Sequence, residues 1–203
     1  MTDWLNNAAT ELGDLKTNKS AALTDLVTTV NAYSKELSEL NIAVSQSLAN
    51  TQAANALLDR RGYVADQLAA AVGGSFLTND ANQLSVTLGG GTIVGPSTYA
   101  TLQVASSGGT TSLQWVSDSS TATVSSGTAN GYLTAINTTI DSWTTTLDAV
   151  ASAITTQVNA VQTTGFDRDG NAGNSLFTGT TAATISVALT DGDDIAASAV
   201  APA

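Results

Sequence analysis

Between Leu12 and Leu48 the chain carries one apolar stripe with no proline to interrupt it, and this constrains the fold more than any other feature. Leu12, Leu15, Leu23, Leu26, Val30, Tyr33, Leu37, Leu40, Val44 and Leu48 follow at steps of three and four, except where Lys19 fills a seam position. Such steps place the residues on one narrow helical face, the pattern of coiled-coil-like packing. The spacing predicts a single helix over residues 7–50, with Gly13 its only glycine. At about 1.5 Å per residue it would reach roughly 65 Å. An ordinary bundle helix and a helix built for assembly both satisfy the pattern. The polar stretch Ala49-Asn50-Thr51-Gln52 predicts a break. A second helix follows over residues 53–72, with Leu57, Val64, Leu68 and Val72 on one face and Gly73-Gly74 as its stop.

From residue 75 the pattern changes. Thr and Val become frequent, charges nearly vanish, and turn residues recur. Strands are predicted at 75–78 and 83–88 around Asn79-Asp80-Ala81-Asn82, then at Thr92-Ile93-Val94, stopped by Gly95-Pro96. Further strands are expected at 100–105, 112–116 and 121–124, all in one small antiparallel sheet. Helical spacing returns at 131–146 (Leu133, Ile136, Ile140, Trp143) and at 147–162 (Leu147, Val150, Ile154, Val158, Val161). A loop begins at Gly165, and residues 184–189 read as a strand. The expected fold class is α+β: a long antiparallel helical bundle or stem with a small antiparallel β-rich section. Residues 1–203 form a single core domain of a longer protein in this reading. Its parts are long helices (7–72), a β-rich section (73–126), helices (127–165), and a turn, strand and return segment (166–203).

Composition removes most chemistries. The 203 residues include no His and no Cys, which excludes Ser-His-Asp and Cys-nucleophile catalysis, Cys/His zinc sites and disulfides. The net charge is −11 with only six basic residues, dispersed as Lys16, Lys19, Lys35, Arg60, Arg61 and Arg168. A phosphate backbone or an anionic membrane surface would be repelled. No apolar run reaches the 18 or so residues of a spanning helix, and the first twenty residues lack the basic and apolar regions of a signal peptide. The 42% hydrophobic content leans on Ala, so large side-chain anchors are few.

The motifs that could carry chemistry have plainer structural readings. Asp167-x-Asp169-x-Asn171 has the spacing of a calcium loop, but Ala172 stands where such a loop needs Gly at its sixth position, and Thr178 stands where it needs a bidentate Glu at its twelfth. Asx side chains bond nearby backbone amides, so a turn is expected. Asp191, Asp193 and Asp194 read as an exposed turn. Gly89-Gly90-Gly91 lacks the Lys-Ser/Thr of a phosphate loop and reads as a hairpin turn. Arg60 and Arg61, beside Asp59, read as a helix-surface salt bridge rather than an anion site. Trp143 is expected in the core, with Trp4 and Trp115 left open between core and partner anchor. No catalytic, cofactor-binding or metal-binding residues are expected, and no cofactor.

Three segments in order carry a resemblance. VNAYSKELSELNIAV (30–44) contains Leu40-Asn41-Ile42. NALLDRRGYVAD (55–66) is similar to an Asn-x-Leu-Leu-Asp-x-Arg-Asp helix. GYLTAIN (131–137) with LDAVASAITTQVNAVQTTGFDRDGNAGNSLF (147–177) is similar to a Gly-x-Leu…Val-Asn…Gly-Asp-x-x-Gly-x-x-Gly-x-x-Phe stretch. Together they resemble the flagellar hook-associated protein 1 family, from about residue 10 onward. Gly62 departs from the usual Asp, and Gln162 stands where His is frequent. The resemblance implies a core piece without the terminal assembly helices of that family. It implies a structural, non-enzymatic protein of the bacterial flagellum that joins hook to filament by axial self-assembly. Export would be through the flagellar type III system without a cleavable signal, to an extracellular site. The implied partners are the hook protein, a second junction protein and copies of the full-length chain, with no nucleic acid or membrane, and a monomer for this piece in dilute solution. The residues alone also leave open a bacterial or phage surface adhesin or tail component that binds a ligand through the β-rich section.

Overall fold

The computed structural model describes residues 1–50 and 54–200. The chain divides into two compact units: a terminal unit of Met1–Lys16 with Thr139–Ala203, and a central unit of Thr17–Thr138. The architecture is α+β, with long helices and small antiparallel sheets. Of the expected break at residues 49–52, Thr51 and Gln52 lie outside the described residues, as does Ala53.

Helix α1 (Thr2–Ala49) supplies the first turns of the terminal unit and then runs through the central unit. In the central unit its buried face is Leu23, Val27, Val30, Ser34, Leu37, Asn41 and Val44, alternating steps of four and three. The stripe therefore exists, but its centre lies one position away from Tyr33 and Leu40, and two of its members are polar. Ser34 donates its hydroxyl to the Val30 carbonyl at 2.9 Å, so it is satisfied within the helix. Helix α2 (Asn55–Val72) buries Val64, Ala65, Leu68, Ala71 and Val72 against the same cluster and ends at Gly73.

Strands β1 (Ser75–Thr78), β2 (Leu84–Leu88) and β3 (Gly91–Val94) form one antiparallel sheet. Strands β4 (Leu102–Ser107) and β5 (Thr110–Trp115) form a separate hairpin. The single expected sheet is thus two. Gly95-Pro96 ends the first where proline can offer no ladder donor, and only an isolated Val94–Tyr99 bridge follows. The strand expected at 121–124 reduces to one bridge, Gln114–Thr121. The Gly89–Gly91 turn joins β2 to β3 as expected. Gly89 has φ +50°, and a Cβ there would lie 2.4 Å from the Thr123 amide nitrogen, so no other residue fits the turn.

Helix α3 (Gly127–Thr134), a π segment (Ala135–Thr139) and helix α4 (Ile140–Gln162) follow one another directly. The break expected at 146/147 does not occur. Thr144, Thr145 and Thr146 each donate a hydroxyl to the carbonyl four residues back, at 3.0, 2.8 and 2.9 Å, so this polar run is satisfied within the helix. The irregularity sits earlier, in the π segment. In the terminal unit β6 (Phe177–Thr178) pairs with β7 (Ser186–Val187), shorter than the strand expected at 184–189, and a 3₁₀ turn spans Gly192–Asp194.

One device recurs across these elements. Four helix-borne asparagines each grip both peptide groups of a single strand residue. In the central unit Asn31 bonds the N–H and C=O of Leu102 (2.8 and 2.9 Å), Asn41 those of Leu84 (2.9 and 2.7 Å), and Asn137 those of Thr111 (2.8 and 2.7 Å). In the terminal unit Asn159 does the same for Phe177 (2.9 and 2.8 Å). A carboxamide matches a peptide group donor for acceptor, so each latch closes a strand edge that would otherwise lack a partner. Asn137 lies inside the π segment.

Candidate assembly face

The residues that attracted attention in the sequence are mostly latches. In the loop after α4, Asp167 Oδ1 accepts the amides of Asp169 (2.9 Å) and Asn171 (2.7 Å), while its Oδ2 accepts the Asn171 side-chain amide (3.1 Å). This is an Asx turn. Desolvation would raise the Asp167 pKa, but hydrogen bonds from Asn171, Asp169 and Gly170 outweigh it and hold the carboxyl below its ordinary value. Phe166 bridges to Ala172 and Ser198, and Arg168 pairs with Asp193 at 3.2 Å. Asp191 caps the 3₁₀ turn through the Asp193 amide at 3.0 Å. Among the described residues no group of three or more His, Cys, Asp or Glu is placed to hold a metal ion. Gln162 is buried and donates to the Asp194 carbonyl at 3.1 Å.

The arginine pair separates. Arg60 forms the expected surface ion pair, with Glu36 of α1 at 2.6 Å. Arg61 does not. It is buried, and its guanidinium bonds the backbone and side-chain oxygens of Asn82 in the β1–β2 turn. Burial lowers its pKa. Asn41 and Arg61, each from a segment that carried the family resemblance, thus converge on the same hairpin. The position of Arg61 in sequence gives no sign of this, because Asn82 lies 21 residues away.

The tryptophans also part. Trp115 is buried in the central cluster and lies against Gly91. Trp143, expected in the core, is 53% exposed, and Trp4 is 65% exposed. The reason lies in helix α4, whose most buried face is largely polar. Its face toward its own unit carries Asp148, Ala151, Thr155, Asn159 and Gln162, at steps of three and four. Asp148 accepts the Ala182 amide (2.8 Å), and Thr155 donates to the Gly179 carbonyl (2.9 Å). The segment after α4 has only two-residue strands, so its peptide groups need side-chain partners, and the polar face of α4 supplies them. Its apolar stripe is therefore only partly covered: Leu147 and Ile154 pack on the unit's cluster, while Trp143, Val150 and Val161 are exposed.

That outward face meets the first turns of α1, also in the terminal unit, to form an open groove of about 600 Å³. Leu12 and Leu15 of α1 and Trp143, Leu147 and Val150 of α4 line it, with Glu11 at the lining as its charged member. Beneath it the unit's hydrophobic cluster has just four buried residues among those described, Leu5, Ala151, Ala182 and Ile185, against twenty in the central unit. A concave, mostly apolar lining of this kind is the default candidate for a binding site. Sequence periodicity finds the stripe but assigns it inward, since apolar faces are ordinarily buried.

Long helices latched to small hairpins, with polar signature residues turned inward and an apolar groove at the surface, define an α+β helical domain. Among the described residues no helix is long and apolar enough to cross a membrane. Residues 1–177 match the family described as flagellar hook-associated protein FlgK helical domain, and the chain belongs to that family. The solved structure of the flagellar hook junction protein FlgK from Burkholderia pseudomallei is similar, with a TM-score of 0.75 and 26% identity over 87% of this chain. The chain spans about a third (34%) of the length of that protein. No curated protein sequence matches. The family places the chain among flagellar hook-associated structural proteins.

Proposed function

We propose that this chain is the helical core of a structural protein that joins hook to filament by axial assembly, and that the groove between the start of α1 and α4 is one of its assembly faces. The observation that carries the reading is the incompletely covered apolar stripe of α4. A helix that turns Trp143, Val150 and Val161 outward over a four-residue cluster is completed by neighbours rather than by its own unit. Family membership supplies the setting. In this reading residues 1–203 act as one core domain of a longer protein and carry no catalytic, cofactor or metal site. The partners are the hook protein, a second junction protein and other copies of the full-length chain. The site of action is extracellular, reached through the flagellar type III apparatus.

The test is genetic. A strain lacking the full-length gene is complemented with wild type, with Trp143→Ala or with Val150→Asp, and hooks and filaments are counted by electron microscopy. Bare hooks in the null strain and in the groove variants, with wild-type levels of exported protein, are the expected result. Filaments attached to hooks in the null strain would overturn the junction function. Filaments restored fully by both groove variants would overturn the assembly face.

A further inference from the structure

The chemistry of the groove specifies its occupant more narrowly than the proposed function does, and the identity of that occupant rests on the groove being an assembly face. The lining offers few free polar groups: the Thr146 hydroxyl is already bonded to the Ser142 carbonyl. An extended segment laid there would leave its peptide groups unpaired, whereas a helix satisfies its own. The lining residues span about two turns on each wall, Ala8 to Leu15 and Trp143 to Val150, which suits a third helix packed along the pair.

Charge narrows it further. The terminal unit holds ten of the chain's carboxylates and two bases, Lys16 and Arg168, a net of −8 out of the −11 of the chain. Lys16 is held by Asp141 at 2.6 Å and Arg168 by Asp193 at 3.2 Å, so both cations are engaged by carboxylates of their own unit. Glu11 lies at the groove itself, and the exposed face of Trp143 is available to a guanidinium. A second copy of this unit would bring −8 against −8. We infer that the groove seats an amphipathic helix of another protein chain, with an apolar stripe flanked by Lys and Arg.

Three synthetic helical peptides of roughly eighteen residues, long enough to hold a helix, distinguish the possibilities by calorimetric titration of the purified chain. One has a Leu stripe flanked by Lys and Arg, one has the same stripe flanked by Glu, and one has the Lys and Arg content scrambled without a stripe. The basic striped peptide is expected to bind at least about tenfold more tightly than either of the others at about 50 mM salt, with the advantage over the acidic peptide shrinking at about 500 mM. Trp143→Ala is expected to weaken it, and Glu11→Lys to reduce the preference for basic flanks. Equal binding of the two striped peptides would overturn the charge inference and leave the assembly face standing. Binding of the scrambled peptide as tightly as the striped one would overturn the helix-seating inference. No binding of any peptide would overturn the groove as a docking face. A dimer seen in sedimentation and abolished by Trp143→Ala would make a second copy the occupant and overturn the cationic helix.

Discussion

Replacing Asn41 tests whether the asparagine latches stabilise the fold. Asn41 is fully buried and makes three hydrogen bonds, to the Leu84 N–H (2.9 Å), the Leu84 C=O (2.7 Å) and the Gly95 C=O (3.2 Å). The register shows why Leu84 needs it. The Asn79 amide bonds the Gln83 carbonyl, so the next pair, Thr78 with Leu84, is the non-bonded kind, and the peptide groups of Leu84 face away from β1. On that side β3 has already ended at Val94. Asn41→Ala therefore strands two peptide groups and weakens a third. At about 1–3 kcal/mol for each group left without a partner, and with Leu84 itself half-buried so that some water returns, the loss should be about 2–4 kcal/mol. Ala favours a helix over Asn by roughly 0.5 kcal/mol, which masks part of it. The exposed Asn18, on the same helix and in the same unit, corrects for this as Asn18→Ala. Urea unfolding followed by Trp emission is suited to the measurement, because Trp115 is 8% exposed while Trp4 and Trp143 already face solvent, so the signal reports the central unit. With a slope of roughly 1.5 kcal/mol per molar, the midpoint should fall by about 2 M relative to Asn18→Ala. Agreement of the two variants within about 0.5 kcal/mol would refute the latch argument.

The same geometry sets further outcomes. Gly173→Ala would place a Cβ 2.1 Å from the Gln162 carbonyl oxygen and 2.7 Å from the Ala196 methyl, so thermal unfolding of the terminal unit should drop by about 2 kcal/mol or more. Gly62→Ala, with nothing within 4 Å, should gain about 0.5–1 kcal/mol as helix propensity, and a loss there would contradict the open site on α2. The Asp167 carboxyl is held below its ordinary 3.8, so its contribution is present above that value and is lost as pH falls through the lower folded value. Melting curves between about pH 6 and about pH 3 should therefore show a steeper acid loss for wild type than for Asp167→Asn; parallel curves would count against the Asx turn. Calcium should leave the melting temperature unchanged to within about 1 °C, since protein donors already bond both Asp167 oxygens. A rise reversed by a chelator would restore the metal reading.

What the sequence disclosed was local, and what it hid was distant. The helix expected over residues 7–50 and found over 2–49, the stop at Gly73, the β1–β2 hairpin and the glycine turn before β3 all arise from neighbours within a few positions. The Asx turn at Asp167 was legible for the same reason, its partners lying two and four residues on. Asn41, Asn31 and Arg61 were not legible as latches, because their partners lie 43, 71 and 21 residues away. Counting apolar positions also misses a seam with Ser34 and Asn41 in it, as polar residues enter such a seam only when some other part of the chain or the helix backbone satisfies them. The π segment was hidden likewise, since nothing in Ala135–Thr139 announces that Asn137 must reach Thr111.

Helix α4 shows why the same rule, applied without its partners, gives the wrong face. Amphipathic reasoning assumes that the interior is apolar, which holds when a helix packs on other helices or on a sheet with its own ladder. Residues 166–200 have almost no ladder, so burying them against an apolar helix face would leave carbonyls and amides unpaired at about 1–3 kcal/mol each. Turning Asp148, Thr155, Asn159 and Gln162 inward avoids that cost and leaves Trp143, Leu147 and Val150 on the groove side. The exposed stripe is then the geometric consequence of a loop-rich segment that must be held by side chains. In the proposed assembly, burial of that face would be deferred until a neighbour arrives. The residues of α4 that latch the fold and those on the groove thus occupy neighbouring faces of one helix, about 100° apart. Variants on the groove side, such as Trp143→Ala, should spare stability while they abolish assembly, and variants on the latch side, such as Asn159→Ala, should do the reverse until the unit unfolds.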